Sequence, residues 1–403
     1  MINTLVILLA FTAYSLFSKA ISRSVLTLPI LFTGLGLALS GPLHAAFGPE
    51  AIHDGKKLLA EGTLVLVLFA DASHIRFRRL AMNWTLPARM LVIGMPLTIV
   101  LGTLVVYWLD PVSGIAMALL TAAVLTPTDA ALGQAVVVNP AVPERLGQTI
   151  NVESGLNDGL AFPFVLFGAT LASTATVDSG PAGLVMEAAG EVVFGVVAGV
   201  GTGWLAARAM DWAMRRDLMQ VPAGAVVFLL SAFAAYVTAG LIGGNGFIAA
   251  FLAGMTFGNT YRNDILFISE FMEGAGQLLT MAAFLVFGAF LLPAGLEHVS
   301  GSTLALAVLF LTLVRMVPIY LSLAGTGLAP REKLFLGWFG PRGLASILFT
   351  LLVMDEFDFP NEDELLACVS LTVMLSILLH GLSSNFLARR IGPGQPRQTG
   401  KGA

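Results

Sequence analysis

Apolar residues along this chain occur in long runs rather than in alternating patterns. Runs close to twenty residues long recur from one end of the sequence to the other, separated by short stretches rich in Gly, Pro, Asn and charged residues. As a helix, a run of this length spans the hydrocarbon core of a bilayer. The pattern predicts thirteen transmembrane helices, at residues 3–17, 25–40, 58–75, 86–107, 113–134, 147–172, 182–207, 220–240, 242–258, 265–292, 302–323, 332–354 and 364–387.

The composition agrees with a polytopic, all-α membrane protein. Of 403 residues, 57% are hydrophobic and 11% are charged, and the mean hydropathy is +0.86. Soluble domains carry about 25% charged residues, so an ordinary soluble enzyme is excluded. The one cysteine, Cys368, gives no disulfide or thiolate-metal framework. The five histidines form no metal-ligand spacing, and no basic and aromatic patch suggests nucleic acid, so we expect no enzyme activity and no cofactor.

Lysine and arginine residues indicate how the chain is oriented across the membrane. Seventeen of the 21 lie in alternate loops, only Lys56 and Lys57 lie on the opposite side, and Arg315 and Arg342 lie within spans. Because loops rich in Lys and Arg face the cytoplasm, we expect a plasma-membrane protein with its N-terminus outside and its C-terminus inside.

Two predicted spans are interrupted at corresponding places. Span 5 contains Thr-Pro-Thr-Asp at 126–129 and span 12 contains Gly-Pro-Arg-Gly at 340–343, and Pro127 and Pro341 are 214 positions apart. The same offset aligns spans 1–6 with spans 8–13 and leaves span 7 as a linker. Such pairs are typical of transporters built from two inverted six-helix repeats with crossed discontinuous helices. Simple kinks in both helices are the alternative.

The interruptions carry charges of opposite sign. Unwound helices expose N–H and C=O groups and their partial charges in mid-membrane. Asp129 can compensate the donor ends and Arg342 the carbonyl ends.

Ionisable side chains within the predicted spans are candidates for function. A charge at the bilayer centre costs at least ~2.5 kcal/mol even on lenient scales. Six side chains qualify: Asp71, Asp129, Glu153, Asp158, Arg315 and Arg342. A structural role is the alternative for Asp71, which lies near one end of its span. It is also the alternative for Asp129, which can compensate the ends of the broken helices. Glu153 and Arg315 are expected to form an ion pair that holds spans 6 and 11 together.

Span 6 concentrates polar residues in the run Asn151–Gly159. Ser154 and Asp158 are four residues apart and share a helix face. A hard monovalent cation requires several oxygen ligands, which a carboxylate, a hydroxyl and a backbone carbonyl supply. A proton requires only the carboxylate, so a cation and a proton would compete for Asp158.

These residues resemble a known family. The segments TPTDA at 126–130, NVESGLNDG at 151–159 and FGPRG at 339–343 are similar to those of monovalent cation:proton antiporters of the CPA1 class, the NhaP-type sodium/proton exchangers. The resemblance implies a homodimer whose ion-transporting core moves like an elevator. It implies dimerisation or scaffold helices at 1–75 and 220–292, a core at 86–172 and 302–387, a linker helix at 182–207 and a cytoplasmic tail at 388–403.

The resemblance also implies roles for individual residues. Asp158 would carry the cation and the proton beside Asn157, with Ser154 and the Thr128 backbone as Na⁺ ligands. Asp129 would lie at the helix crossing, and Glu153 with Arg315 would be structural. Relatives with an acid in place of Asn157 tend to be electrogenic, so the amide implies one-for-one exchange. Several relatives bring a Glu from helix 3 to the ion, where this chain offers the shorter Asp71.

The resulting hypothesis is an antiporter that exchanges Na⁺, or Li⁺ or K⁺, for H⁺ without a cofactor. A sodium-coupled symporter of an organic anion is the alternative, followed by a cation channel and a membrane sensor.

Overall fold

The chain folds into a bundle of helices. The computed structural model describes residues 2–21, 26–75, 84–137, 139–173, 180–263 and 266–392, and every regular element within these ranges is helical. The first eight helices are α1 (Ile2–Ile21), α2 (Leu28–Ala46), α3 (Pro49–Ser73), α4 (Thr85–Arg89), α5 (Met95–Leu109), α6 (Gly114–Val124), α7 (Ala130–Val137) and α8 (Glu144–Ala172). The remaining helices are α9 (Gly180–Arg215), α10 (Val221–Leu241), α11 (Gly246–Thr260), α12 (Leu266–Val286), α13 (Leu292–Glu297), α14 (Gly301–Leu311), α15 (Leu313–Ser322), α16 (Pro330–Trp338), α17 (Leu344–Glu356) and α18 (Glu362–Arg390).

Helices occupy all thirteen predicted segments. Two π-helical turns keep neighbouring helices continuous: Met90–Gly94 joins α4 to α5, and Phe287–Leu291 joins α12 to α13. Among the described residues, nine continuous helical stretches are long and apolar enough to cross a membrane. The other predicted spans hold α3, α11 and two interrupted helices, so the count of thirteen crossings stays a prediction. Of the basic residues used for orientation, Arg23, Arg76, Arg78, Arg79, Arg397 and Lys401 lie outside the described residues.

Small residues bring α3, α9 and α11 into backbone contact. Gly254 and Gly258 of α11 lie against the carbonyl oxygens of Phe69 and Ser73 on α3, where a methyl group would overlap those oxygens. Small residues at such spacing allow the close helix packing that stabilises proteins in lipid, where the hydrophobic effect does not drive helix association. Glycines of α9 approach the backbone of α11 in the same way, namely Gly195, Gly199 and Gly203.

Both predicted interruptions are present as breaks between helices. The first crossing segment, residues 125–129, joins α6 to α7, and the second crossing segment, residues 339–343, joins α16 to α17. The two segments meet where the Asp129 N–H donates to the Pro341 carbonyl oxygen at 2.8 Å. The helix ends therefore converge within the bundle, together with the polar residues of α8.

Candidate functional site

Asp129 caps two half-helices at once. Its Oδ1 accepts from the Leu132 N–H at 3.1 Å, and its Oδ2 accepts from the Leu344 N–H at 2.6 Å. These donors belong to the first turns of α7 and α17. The N–H groups of a first turn have no acceptor within their own helix. A carboxylate there satisfies the N–H groups and the positive end of each helix dipole. Gly343 makes the approach possible, because a methyl group at that position would overlap the carboxylate.

Arg342 performs the opposite task for the carbonyl groups. Its Nη1 donates to the Pro127 oxygen at 3.3 Å and to the Gly340 oxygen at 3.2 Å, one on each crossing segment. The side chain is fully buried. Buried carbonyl groups of irregular backbone need donors, and this guanidinium supplies them. The acid and the base therefore stabilise the crossing rather than each other.

Glu153 and Arg315 form a buried ion pair. Glu153 Oε1 lies 2.8 Å from Arg315 Nη1, and each residue is 1% exposed. Arg315 lies on α15, which begins after an irregular backbone conformation at Thr312 interrupts the helix. The pair links α8 to α15, and its two charges compensate each other inside the bundle.

The Thr128 hydroxyl lies at the centre of a polar cluster that the sequence did not predict. Thr128 Oγ1 lies 3.1 Å from Glu153 Oε2, 3.0 Å from Ser154 Oγ and 2.5 Å from Asn157 Nδ2. Asn157 Nδ2 also lies 3.3 Å from Glu153 Oε1. The sequence had indicated only the backbone of Thr128 as a ligand. The cluster attaches the first crossing segment to the polar face of α8.

Asp158 lies just outside this cluster. Its Oδ1 and the Oδ1 of Asn157 are buried and have no hydrogen-bond partner among the described residues. Asn157 uses its amide N–H groups within the cluster, so its oxygen remains an acceptor. Consecutive residues thus present two acceptor oxygens, which is an arrangement that suits a cation.

The exposure of residues along α8 indicates a crevice that leads to Asp158 from the N-terminal end of this helix. Along one face of α8, Gln148 and Asn151 are exposed, and Gly155 and Asp158 are partly exposed. These positions are three or four residues apart and so lie on the same side of the helix. One turn beyond Asp158, Phe162 is buried. The accessible face therefore ends at the Asp158 carboxylate.

Asp71 of α3 lies on the opposite wall of the crevice. A Cβ placed on Gly155 would lie 4.0 Å from the Asp71 Cβ. Asp71 is partly exposed, and its charge interacts with that of Asp158. Ion pairs involve neither acid among the described residues. The structure thus brings together two carboxylates that have no basic partner there.

Aromatic rings close the crevice beyond Asp158. Phe162 of α8 lies 5.1 Å from Phe247 of α11 and 5.3 Å from Phe349 of α17, measured between ring centroids. Tyr236 of α10 lies 5.1 Å from Phe247. We call these four side chains the aromatic seal. It separates the carboxylates from the far end of the bundle.

The donor set is poor in ligands for transition metals. In the part of the chain that the structure describes, no three His, Cys, Asp or Glu side chains converge to hold a metal ion. The groups around Asp158 are carboxylate, amide and hydroxyl oxygens, which are hard ligands suited to hard cations.

Crossed broken helices with compensated ends, together with buried acids that have no basic partner among the described residues, are typical of secondary transporters. Residues 6–390 match the model of the protein family described as sodium/hydrogen exchanger, transmembrane. The chain belongs to that family and is a multi-pass membrane protein.

Individual relatives are consistent with the family. The chain is 24% identical over 383 residues to the K(+)/H(+) antiporter NhaP2 of Shewanella oneidensis, covering 94% of this chain and 65% of that protein. It therefore spans slightly less than two thirds of that relative. It is 29% identical over 372 residues to the Na(+)/H(+) antiporter NhaP of Pseudomonas aeruginosa, covering 87% of this chain and 85% of that protein. These relatives lend no support to an organic-anion symporter.

A solved structure has the same fold. The sodium proton antiporter MjNhaP1 from Methanocaldococcus jannaschii at pH 8 superposes with a TM-score of 0.75 at 18% sequence identity. The superposition covers 96% of this chain and 98% of that chain.

Proposed function

We propose that this protein exchanges a monovalent cation for a proton across the plasma membrane, with Na⁺ as the preferred cation. The observation that carries the proposal is the Asp158 carboxylate at the end of the crevice, with an acceptor oxygen that has no hydrogen-bond partner among the described residues. Such a carboxylate binds a cation when ionised and a proton when neutral, so the two substrates exclude each other. Exclusive occupancy of one group is the minimal requirement for antiport.

Charge matching elsewhere supports this assignment. Asp129 and Arg342 neutralise the ends of the broken helices, and Glu153 neutralises Arg315. Asp158 and Asp71 are then the remaining acids of the six ionisable side chains. A single cation or proton at Asp158 leaves the same charge in the core, so we propose one-for-one, electroneutral exchange.

Flux measurements on purified protein test the function. In proteoliposomes with an imposed pH gradient, adding Na⁺ should dissipate the gradient, and Li⁺ and K⁺ rank the selectivity. The relatives are named for either K⁺ or Na⁺, so all three cations are needed. Clamping the membrane potential should leave the rate unchanged. A gradient that no alkali cation dissipates contradicts the function, and a rate that follows the potential contradicts one-for-one exchange.

Asp71 is proposed to assist cation binding from the opposite wall of the crevice. Asp71→Asn should raise the KM for Na⁺ roughly tenfold, equivalent to about 1.4 kcal/mol, because a negative charge near the cation is lost. Asp71→Glu keeps the charge and should stay close to wild type in KM. Vesicle assays over a range of Na⁺ concentrations measure both variants. An unchanged KM in Asp71→Asn would remove this residue from the cation site.

Alternating access is proposed to occur by movement of a core (86–172 and 302–387) against scaffold helices (1–75 and 220–292), connected by the linker 182–207. The aromatic seal supports this division, because Phe162 and Phe349 belong to the core whereas Phe247 and Tyr236 belong to the scaffold helices. The N-terminus is proposed to face outward and the tail 388–403 to face the cytoplasm, so that the crevice opens inward.

The stretch Ile2–Lys19 has no buried residue in the monomer, which fits a proposed role of α1 in a homodimer.

An ion pair at the opposite end from the crevice is proposed to keep the outer side closed. Lys57 of α3 lies 2.5 Å from Asp355 of α17, and His53 lies 3.0 Å from the same carboxylate. The two helices belong to the scaffold and the core, so outward opening would separate the pair. Lys57 precedes the predicted span 58–75. The hydrogen bond and the charge of Asp355 raise the pKa of Lys57.

Lys57→Met should therefore ease outward opening. A weak pair of this kind predicts a roughly twofold to fivefold lower KM for Na⁺ supplied from outside. Because the pKa of Lys57 is raised, the pair persists below the ordinary lysine pKa and is lost only as pH rises through the higher folded value. The effect should thus be constant between about pH 8 and 9. Lys56→Met removes a neighbouring charge without this bond and serves as the control in right-side-out vesicles. Equal effects of both variants would contradict a specific role of the Lys57–Asp355 ion pair in keeping the outer side closed.

A further inference from the structure

Three polar side chains on one face of α18 contact the second broken helix. Ser376, His380 and Ser383 follow one another at intervals of four and three residues, so they lie on one side of the helix. His380 is 1% exposed and Ser376 is fully buried. A buried histidine in a membrane-spanning helix requires partners for both ring nitrogens. The mechanism proposed above does not use this residue.

The second crossing segment and the helix residue before it are both bound to this face. The Arg342 N–H donates to Ser376 Oγ at 2.7 Å, and His380 Nε2 lies 2.9 Å from the Trp338 carbonyl oxygen. The same carbonyl accepts the Gly340 N–H at 2.8 Å. This closes an inverse γ-turn at Phe339, whose φ of −79° and ψ of 60° are typical of that turn. His380 therefore binds the carbonyl that directs the chain out of α16.

Both ring nitrogens of His380 have polar neighbours: Nε2 lies 2.9 Å from the Trp338 carbonyl oxygen, and Nδ1 lies 3.0 Å from the Ser376 carbonyl oxygen and 3.2 Å from Ser376 Oγ. A carbonyl oxygen only accepts, so the hydrogen bond to Trp338 requires a proton on Nε2. Ser376 Oγ in turn accepts the Arg342 N–H. A continuous series of polar contacts therefore runs from the Arg342 N–H through Ser376 and His380 to the Trp338 carbonyl.

This series acts on the candidate cation site through backbone position. The second crossing segment holds the first through the Pro341 carbonyl and through the Arg342 side chain. The first segment in turn carries Thr128, the centre of the cluster beside Asp158. We propose that His380, with Ser376, is a positioning residue that sets the crossing geometry on which cation affinity depends. The inference rests on the proposed function and adds two residues to the same site.

Substitutions at His380 separate positioning from folding. His380→Leu loses both bonds and should raise the KM for Na⁺ roughly fivefold to tenfold with a smaller change in kcat, as expected for one or two lost hydrogen bonds. His380→Gln provides a side-chain N–H toward Trp338 and should recover most of the affinity. Ser383→Ala removes only a bond to the Trp338 indole and should keep the wild-type KM. A loss of folded protein alone would lower the total rate without changing KM.

Ser376→Ala gives a second measurement if His380→Leu does not fold. It removes the acceptor for the Arg342 N–H and should also raise the KM for Na⁺. A wild-type KM in Ser376→Ala, or in folded His380→Leu, overturns the inference, as does His380→Gln behaving like His380→Leu.

Binding can be measured without transport, which separates this inference from the proposed function. Na⁺ should raise the unfolding temperature of the purified wild type by mass action, and His380→Leu should need a several-fold higher Na⁺ concentration for the same shift. Wild-type protein that is stabilised by Na⁺ but exchanges no protons would contradict the function alone. Equal Na⁺ dependence of stability in both proteins would contradict the positioning role alone.

Discussion

Asp158→Asn should abolish cation-dependent proton movement, with a loss of at least about a hundredfold in rate. Asparagine has nearly the same size and retains an acceptor oxygen, so the packing around α8 should persist. The amide neither takes up a proton near neutral pH nor balances the charge of a cation. In everted vesicles with an acid interior, adding Na⁺ should leave the pH gradient of the variant intact, whereas the wild type dissipates it.

Asp211→Asn is the matched control for this substitution. Asp211 is equally an aspartate within the bundle, is 1% exposed, and accepts the Arg262 N–H at 3.2 Å and the Asn263 side chain at 2.9 Å. An asparagine oxygen can accept both bonds, and the residue lies away from the crossing. The control should exchange at close to the wild-type rate. Exchange by Asp158→Asn at a comparable rate would show that another group carries the proton.

Breaking the Glu153–Arg315 pair should produce the largest loss of stability. Arg315→Met leaves the Glu153 carboxylate buried with only neutral donors, and removing one partner of a buried pair typically costs about 3–5 kcal/mol. Glu153→Gln should be similarly damaging, because it leaves a guanidinium without a counter-charge. Unfolding free energies in mixed detergent micelles measure both losses.

The double substitution distinguishes charge balance from packing. Glu153→Gln combined with Arg315→Met removes both charges and retains an amide near Thr128, so at least half of the lost stability should return. Lys57→Met, which breaks a more exposed pair, should cost no more than about 1 kcal/mol. Losses in the double variant equal to the sum of the single losses would contradict mutual compensation.

The main features of the crossing could be predicted because they break a strong local pattern. Pro127 and Pro341 interrupt apolar runs beside Asp129 and Arg342, and such residues in mid-span are costly without a partner. The prediction that Asp129 serves donors and Arg342 serves carbonyls follows from the helix dipole alone. The partners themselves, such as Leu344, require knowledge of how the segments cross.

The contacts of Thr128 and His380 could not be predicted for the same reason. Whether a hydroxyl on the crossing segment bonds to α8 depends on the rotation of that helix, which the sequence does not report. Ser154 and Asp158 were expected to share a face, yet Ser154 is buried in the Thr128 cluster while Asp158 is partly exposed to the crevice. His380 appeared unimportant because it belongs to no metal-ligand pattern, and only the fold brings it to Trp338.

The aromatic seal has a consequence for the temperature dependence of exchange. Parting Phe162 and Phe349 from Phe247 and Tyr236 would expose ring surface to water, and hydration of apolar surface raises the heat capacity. The activation enthalpy of outward opening would then grow with temperature, giving a curved rather than straight Arrhenius plot. Closing the aromatic seal again would then require no specific hydrogen bonds between the rings. The release of water from the apolar ring surfaces would drive their contact.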